Sequence, residues 1–163
     1  MKSFKMRGIQ SKDGVVELYD ERIVLMPPTI IDLLAQVYGE GSKSLLIFLG
    51  KKMGRKMIEN WDDHLRPKTL EQITRIFTEF MSTGGWGQME PVKITEEEIV
   101  VQVKNVVSTK LPNATKHICY FINGNLAGFG EYTLYRAQVE ETKCSLDDPN
   151  LDYCEYSIKK REE

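Results

Sequence analysis

The sequence predicts an α+β domain in which an antiparallel sheet packs against helices. Apolar residues recur with the helical period of about 3.6 in successive stretches between residues 29 and 81. After Gly84-Gly85 the period changes to the alternation typical of strands. The predicted order ββ-ααα-ββ-α-ββ keeps runs of strands apart from runs of helices, which is typical of this fold class.

Composition and length are those of an ordinary soluble domain. With 163 residues the chain can bury its own core, so we expect residues 1–163 to form a single domain. The net charge of −2 does not indicate a nucleic-acid partner. No apolar run approaches the roughly 20 residues needed to span a bilayer, so no membrane partner is expected.

The expected compartment is the cytoplasm. Residues 1–7 carry charge without an apolar core, so the sequence does not predict a secretion signal. The sequon Asn113-Ala114-Thr115 is then not expected to be glycosylated. An odd number of cysteines in a reducing compartment favours thiolates over disulfides.

The first elements are a hairpin and a helix. Residues 14–26 show two short apolar runs around the polar turn Asp20-Glu21, the pattern of a hairpin. Pro27-Pro28 ends the hairpin and can open a helix, because proline is tolerated in a first turn. This helix should stop near Gly39. Its apolar stripe consists of Ile30, Leu33, Leu34, Val37 and Tyr38.

A second helix is predicted from Ser42 to Trp61. Gly50 and Gly54 lie one turn apart on the same side of this helix. Each costs about 1 kcal/mol relative to alanine in a helix interior, so a compensating reason is expected. That reason is either close approach of another backbone or a ligand, or tight packing between helices.

The third helix and a second hairpin follow. The sequence Thr69-Leu70-Glu71-Gln72 is a capping box and predicts a helix start, and Gly84-Gly85 predicts its end. Residues 86–94 and 99–103 alternate as strands, with an acidic turn at residues 95–97.

The last third completes the sheet. A polar loop at residues 108–116 precedes a short helix that begins at His117. Three glycines are expected to interrupt or end it: Gly124, Gly128 and Gly130. Strands at residues 132–142 and 152–159 follow, and residues 159–163 form a charged tail.

All three cysteines lie in the last quarter of the chain, together with a glutamate. The candidate metal ligands are Cys119, Glu141, Cys144 and Cys154. Three thiols and a carboxylate can supply four ligands to a tetrahedral zinc ion. Because the ligands come from distant segments, the metal would act as a structural cross-link.

Strand alternation supports this hypothesis. On a strand at residues 134–141 one face carries Tyr135, Ala137, Val139 and Glu141. An unpaired carboxylate on a buried face is costly, so Glu141 requires a partner such as a metal ion. Cys154 similarly shares a strand face with Tyr156 and Ile158.

Other interpretations of these residues stay open. Free cysteines often serve as small buried hydrophobic residues, and Glu141 could be an ordinary surface carboxylate. Cys144 and Cys154 could form a disulfide. His117 lies two residues before Cys119 and could replace one ligand, because imidazole also suits zinc. The chain has no Cys-x-x-Cys pair that would decide between these readings.

The sequence favours a binding protein over an enzyme. Residues 124–130 are rich in glycine but match neither a phosphate-binding loop nor a dinucleotide-binding motif. The chain has no Gly-x-Ser-x-Gly elbow. A metal held by three cysteines and a glutamate would leave no open position for catalysis, so no catalytic residue is identified.

Several motifs carry a family resemblance. They are Cys119-Tyr-Phe-Ile-Asn-Gly124-Asn-Leu-Ala-Gly128, Val139-x-Glu141-x-x-Cys144, Cys154-x-Tyr156-x-Ile158 and the step Thr83-Gly-Gly-Trp86-Gly87. Over residues 20–160 they resemble the 4-vinyl reductase, or hydrocarbon-binding, domain family. The family shares its fold with aromatic-sensing domains of bacterial transcriptional activators and with small subunits of the TRAPP vesicle-tethering complex.

The resemblance implies both a fold and a metal site. The fold is that of the ligand-binding domains of NO signalling and Golgi transport, commonly a homodimer with an apolar cavity between helices and sheet. In the sensor domains an upstream cysteine, a glutamate, a cysteine three residues later and a final cysteine hold a zinc ion. The matching residues are Cys119, Glu141, Cys144 and Cys154. The loop between Cys144 and Cys154 is longer than the family pattern predicts.

We therefore expect a domain that binds or senses an apolar small molecule and contains a structural zinc ion. The expected ligand-binding residues are Phe48, Met53, Met57, Phe77, Phe80 and Trp86, all of which also suit a plain core. The alternatives are a protein-interaction scaffold like the tethering subunits, or an enzyme such as a reductase that uses zinc or a thiolate. The expected partners are an apolar small molecule and a second copy of the chain, without direct nucleic-acid contact.

Overall fold

The computed structural model describes residues 8–111 and 115–161. Its strands are β1 (Ile9–Lys12), β2 (Val15–Leu18), β3 (Glu21–Ile23), β4 (Gln88–Ile94), β5 (Glu98–Lys104), β6 (Ala137–Lys143) and β7 (Tyr153–Lys160). Its α-helices are α1 (Thr29–Tyr38), α2 (Ser42–Leu65), α3 (Leu70–Thr83) and α4 (His117–Thr133).

The strands form two antiparallel sheets. The N-terminal sheet has the order β1-β2-β3, and the larger sheet has the order β4-β5-β7-β6. The two central strands of the larger sheet, β5 and β7, pair so that Val101 lies opposite Tyr156 and Val103 opposite Cys154. All four side chains are fully buried, because this face of the sheet is covered by helices. The predicted α+β class is confirmed.

Helix α4 lies at the centre of the molecule, between the larger sheet and α2. Ten of its 17 residues are buried, so it has no wide polar face. The prediction that glycines interrupt or end this helix is wrong, since it continues through Gly124, Gly128 and Gly130 to Thr133. Burial on nearly all sides compensates for the weak helix propensity of glycine.

The glycines allow α2 and α4 to cross at backbone contact. A Cβ atom on Gly54 would overlap the carbonyl oxygen of Asn125, and one on Gly50 would overlap that of Phe121. Conversely, a Cβ on Gly124 would overlap the carbonyl oxygen of Ile47. Close approach of another backbone is therefore the reason for the glycine pair in α2.

Local sequence features explain where α3 begins and where α2 ends. The hydroxyl of Thr69 accepts a hydrogen bond from the Gln72 amide at 3.1 Å, and the Gln72 side chain accepts one from the Lys68 amide at 2.8 Å. Helix α2 runs four residues past the predicted end at Trp61, to Leu65. It stops where Arg66 adopts a left-handed conformation with φ 45°.

The predicted strand at 132–142 begins later, at Ala137. Tyr135 and Arg136 have φ angles of 54° and 56°, which no strand residue adopts. Tyr135 is 70% exposed, so its predicted place on the buried face is wrong. The alternation holds from Ala137 onward, and Glu141 lies on the inward side as predicted.

The other differences concern the N-terminal part of the chain. Strand β1 was not predicted, and it pairs with β2 outside the predicted hairpin.

Some predicted features lie outside the described residues. These are the loop residues Pro112 and Asn113, residues 1–7 and the end of the charged tail. In the parts of the chain that the structure describes, no helix has both the length and the apolar character to cross a membrane.

Candidate functional site

The four predicted metal ligands lie together where α4 meets the edge of the larger sheet. Cys119 lies in the first turn of α4, Glu141 near the end of β6, Cys144 just after β6, and Cys154 on β7. One ligand atom from each of these residues lies within 4.8 Å of the others. Topology thus gathers residues from segments up to 35 positions apart in the chain.

The donor geometry suits a tetrahedral ion better than a disulfide. The Sγ atoms of Cys144 and Cys154 are 3.9 Å apart. Zinc–sulfur bonds of about 2.3 Å give a tetrahedron with edges of about 3.8 Å, whereas a disulfide needs about 2.05 Å. All three cysteines are free thiols and all are buried, so the disulfide reading is not what the structure shows.

Two side chains orient the carboxylate of Glu141. The hydroxyl of Tyr156 donates to Oε1 at 3.0 Å, and the ammonium of Lys116 donates to Oε2 at 3.3 Å. Burial raises the pKa of Tyr156 well above its ordinary value, so its hydroxyl remains a donor. The bond to Asp147 raises the pKa of Lys116, so it remains charged. Such outer contacts hold a metal ligand in place.

Serine residues lie within hydrogen-bonding distance of two of the three cysteine sulfur atoms. The backbone amide and hydroxyl of Ser145 each lie 3.4 Å from the Sγ of Cys154. The hydroxyl of Ser108 lies 3.7 Å from the Sγ of Cys119. Donors of this kind stabilise negative charge on sulfur.

The electrostatics favour ionisation of one thiol. Hydrogen bonding from the Cys119 thiol, with further bonds from Ser145, lowers the pKa of Cys154 to about 6 despite burial. The hydrogen bond to Cys154, together with burial and the charge of Glu141, raises the pKa of Cys119. Burial raises the pKa of Cys144 to about 11. These contacts favour the thiolate form at Cys154 over the other two thiols, and a metal bound by all three sulfur atoms would displace the protons of Cys119 and Cys144.

His117 makes other contacts. Its Nδ1 lies 3.2 Å from Oδ1 of Asp32 on α1 and 3.1 Å from the hydroxyl of Thr115. It is not part of the candidate metal-binding cluster found among the described residues. These contacts connect α1 to the start of α4.

A second candidate site is an apolar cavity of about 620 Å³ between the N-terminal sheet, α2 and α3. Four of the predicted ligand-binding residues line it: Met53, Met57, Phe80 and Trp86. The other two do not. Phe48 is 55% exposed on the opposite side of α2, and Phe77 is fully buried in the core, stacked on Phe129 with ring centroids 4.5 Å apart.

The residues that cover this cavity were not predicted from the sequence. The wall opposite the helices consists of Ile9, Leu18, Ile23, Val24, Leu25 and Met26. The last three are largely exposed although they are apolar. The run Val24-Leu25-Met26 before Pro27 was a usable signal, because three consecutive apolar residues at the end of a hairpin do not alternate as a surface strand would.

A third feature is an exposed apolar face on α1. Its residues are Leu33, Leu34, Val37 and Tyr38, and Val37 is 89% exposed. Exposed apolar patches of this kind mark sites of association.

Comparison with known proteins shows which solved structures share this fold. No family model and no curated protein matches the chain. Among solved structures, the phenol-responsive sensory domain of the transcription activator PoxR, solved with phenol, matches with a TM-score of 0.77 and 12% identity. That match covers 94% of this chain and 85% of that chain.

Two further structures match over most of their length. A vinyl-4-reductase family protein from Methanocaldococcus jannaschii has a TM-score of 0.55 and 21% identity, over 84% of this chain and 83% of that chain. A trafficking protein particle complex subunit 3 from Naegleria fowleri, covalently bound to palmitic acid, has a TM-score of 0.46 and 15% identity, over 83% of this chain and 98% of that chain. The chain therefore has the fold of the PoxR phenol-sensing domain and of the vinyl-4-reductase family protein, as the resemblance in its C-terminal motifs implied.

Proposed function

We propose that this chain is a small-molecule-binding domain whose apolar ligand occupies the cavity between the N-terminal sheet, α2 and α3. The observation that carries the proposal is the cavity itself. Its volume of about 620 Å³ falls in the usual range for ligand sites, and its wall is mostly apolar. The match to a sensory domain solved with phenol supports this reading. A scaffold without a ligand would be expected to fill this space with side chains.

We further propose a structural zinc ion held by Cys119, Glu141, Cys144 and Cys154. Three thiols and a carboxylate within 4.8 Å are a donor set that zinc prefers. When bound, zinc would offset part of the negative charge of its four ligands and join α4 to β6 and β7. Four protein ligands leave no open position, so the proposed role is structural and we propose no catalytic residue. The free thiols must stay reduced to bind metal, which favours a reducing compartment such as the cytoplasm.

Filling the cavity should weaken ligand binding. We expect toluene, a plain apolar probe, to bind the wild-type protein in isothermal titration calorimetry. Met57→Trp should weaken this binding at least tenfold, because the larger side chain occupies ligand space. Phe48→Ala is the matched control, since Phe48 lies on the surface away from the cavity. Wild-type protein that does not bind the probe, or equal binding by the Met57 variant, would contradict the proposal.

We also propose that the chain forms a homodimer through the exposed apolar face of α1. Val37→Glu should shift the protein from dimer to monomer in size-exclusion chromatography with light scattering, because a buried unpaired carboxylate is costly. Val92→Glu on β4 is the control, since Val92 is also an exposed valine but lies outside α1. A wild-type protein that is monomeric at all concentrations would rule this interface out.

A further inference from the structure

The charged and amide side chains in the wall of the cavity lie together. Three side chains with charged or amide groups line it, and they lie side by side: Glu21, Lys56 and Asn60. Lys56 and Asn60 are one turn apart on α2, and Glu21 begins the facing strand β3. The remaining lining is apolar apart from the backbone at Gly84 and the indole N–H groups of Trp61 and Trp86, which donate hydrogen bonds but do not accept them.

This polar end has hydrogen-bond acceptors with spare capacity. The Nδ2 of Asn60 lies 3.5 Å from Oε2 of Glu21 and 3.5 Å from the carbonyl oxygen of Tyr19, at the outer limit for hydrogen bonds. Within residues 8–111 and 115–161, no donor bonds to Oδ1 of Asn60. A carboxylate and an amide oxygen are therefore available to a donor from the ligand.

The cation that now faces Glu21 is easily displaced. Nζ of Lys56 lies 2.7 Å from Oε1 of Glu21, but the Lys56 side chain is 73% exposed. Exposed ion pairs contribute little to stability, so a ligand cation can compete with Lys56 for the carboxylate.

The surroundings add negative charge. A second, polar depression shares these three residues and is also lined by Tyr19, Asp20, Glu59, Asp63 and His64. Its carboxylates outnumber its cations even when Lys56 is counted. The local potential therefore favours a positive group over a negative one at this end of the cavity.

We infer that the ligand of this cavity is an amphiphilic amine, with its apolar body in the cavity and its ammonium group against Glu21 and Asn60. An ammonium group has three donors and no acceptor, which complements these two acceptors. A carboxylate head would bring further acceptors and like charge to the same place. The inference rests on the proposed ligand-binding function and specifies its ligand class.

A matched ligand series tests the inference. Ethylbenzene, 2-phenylethanol, 2-phenylethylamine and 3-phenylpropanoate share one apolar body and differ in the polar end. In calorimetry with the wild-type protein we expect the amine to bind at least tenfold more tightly than ethylbenzene. The alcohol should be intermediate and the carboxylate weakest.

Three variants test which residues bind the ammonium group of the ligand. Glu21→Gln should abolish the preference for the amine while leaving the affinity for ethylbenzene within about twofold, because the apolar walls are unchanged. Lys56→Met should strengthen amine binding several-fold, because it removes the competing cation. Glu71→Gln on α3 is the control and should keep the preference, since Glu71 lines neither the cavity nor the polar depression and pairs with Arg75.

The outcomes separate the two proposals. If ethylbenzene and the amine bind equally to the wild type, or if Glu21→Gln keeps the full preference, the inference about the amine is overturned and the ligand-binding function stands. If no member of the series binds, the ligand-binding function falls and the inference with it. Amine preference that depends on Glu21 supports both.

Discussion

Protein purified without added metal should contain one zinc ion per chain, and Cys119→Ser should remove both the ion and much of the stability. Cys119 is the only proposed ligand on α4, so its loss removes the metal cross-link between that helix and strands β6 and β7. Structural zinc contributes about 10–16 kcal/mol in zinc-finger peptides. Because this chain also has a core of its own, we expect a smaller loss of at least about 3 kcal/mol. For a chain of this size that corresponds to a melting temperature lower by about 6–12 °C.

Elemental analysis and thermal unfolding measure these two effects. The neighbouring carboxylates supply a matched pair, because Glu141 lies in the cluster whereas Glu140 points outward. Glu141→Gln should lower the zinc content and the melting temperature, and Glu140→Gln should change neither. Metal-free wild-type protein with full stability would show that the cluster consists of buried thiols without a metal role.

Gly54→Ala should destabilise the protein by about 3 kcal/mol, although alanine is the better helix former by about 1 kcal/mol. The new methyl group would overlap the carbonyl oxygen of Asn125 on α4, and backbone cannot rotate away as a side chain can. The helices would have to separate along their whole crossing, which would open the packed core between them. Urea unfolding followed by circular dichroism measures the loss of free energy of unfolding.

Gly84→Ala provides the comparison for this variant. Gly84 has an ordinary negative φ of −70°, and the nearest atom to an added Cβ is the Phe80 carbonyl oxygen at 3.2 Å. We expect a change of less than about 1 kcal/mol there. If Gly54→Ala were as mild as Gly84→Ala, the crossing would not depend on the absence of side chains.

The sequence predicted the elements whose signals are local. The capping box at Thr69 and the alternation along β7 depend on neighbours in the chain, and both were confirmed. Glycine in α4 misled the prediction because its cost is offset by a partner in α2, far away in sequence. No local pattern contains that information.

The candidate sites show the same contrast between features that the sequence predicts and features that depend on the fold. The cysteines and Glu141 were found because their residue types suit a metal ion and because the family resemblance matches the same four positions, and the fold gathers them. The cavity was harder to predict, because an apolar stripe shows which face of a helix turns inward but not whether protein or empty space lies opposite. Phe77 and Phe80 belong to one such stripe, yet only Phe80 reaches the cavity.

The crossing of α2 and α4 has a mechanical consequence. With no side chains between the two backbones, the helices lack the rotamer freedom that normally absorbs small relative shifts. Met53 and Met57 on α2 line the cavity, and Cys119 lies in the first turn of α4. A displacement of α2 that leaves the crossing intact therefore moves α4 with it as one rigid body. The wall of the cavity and the start of α4 at the cysteine cluster would then shift together.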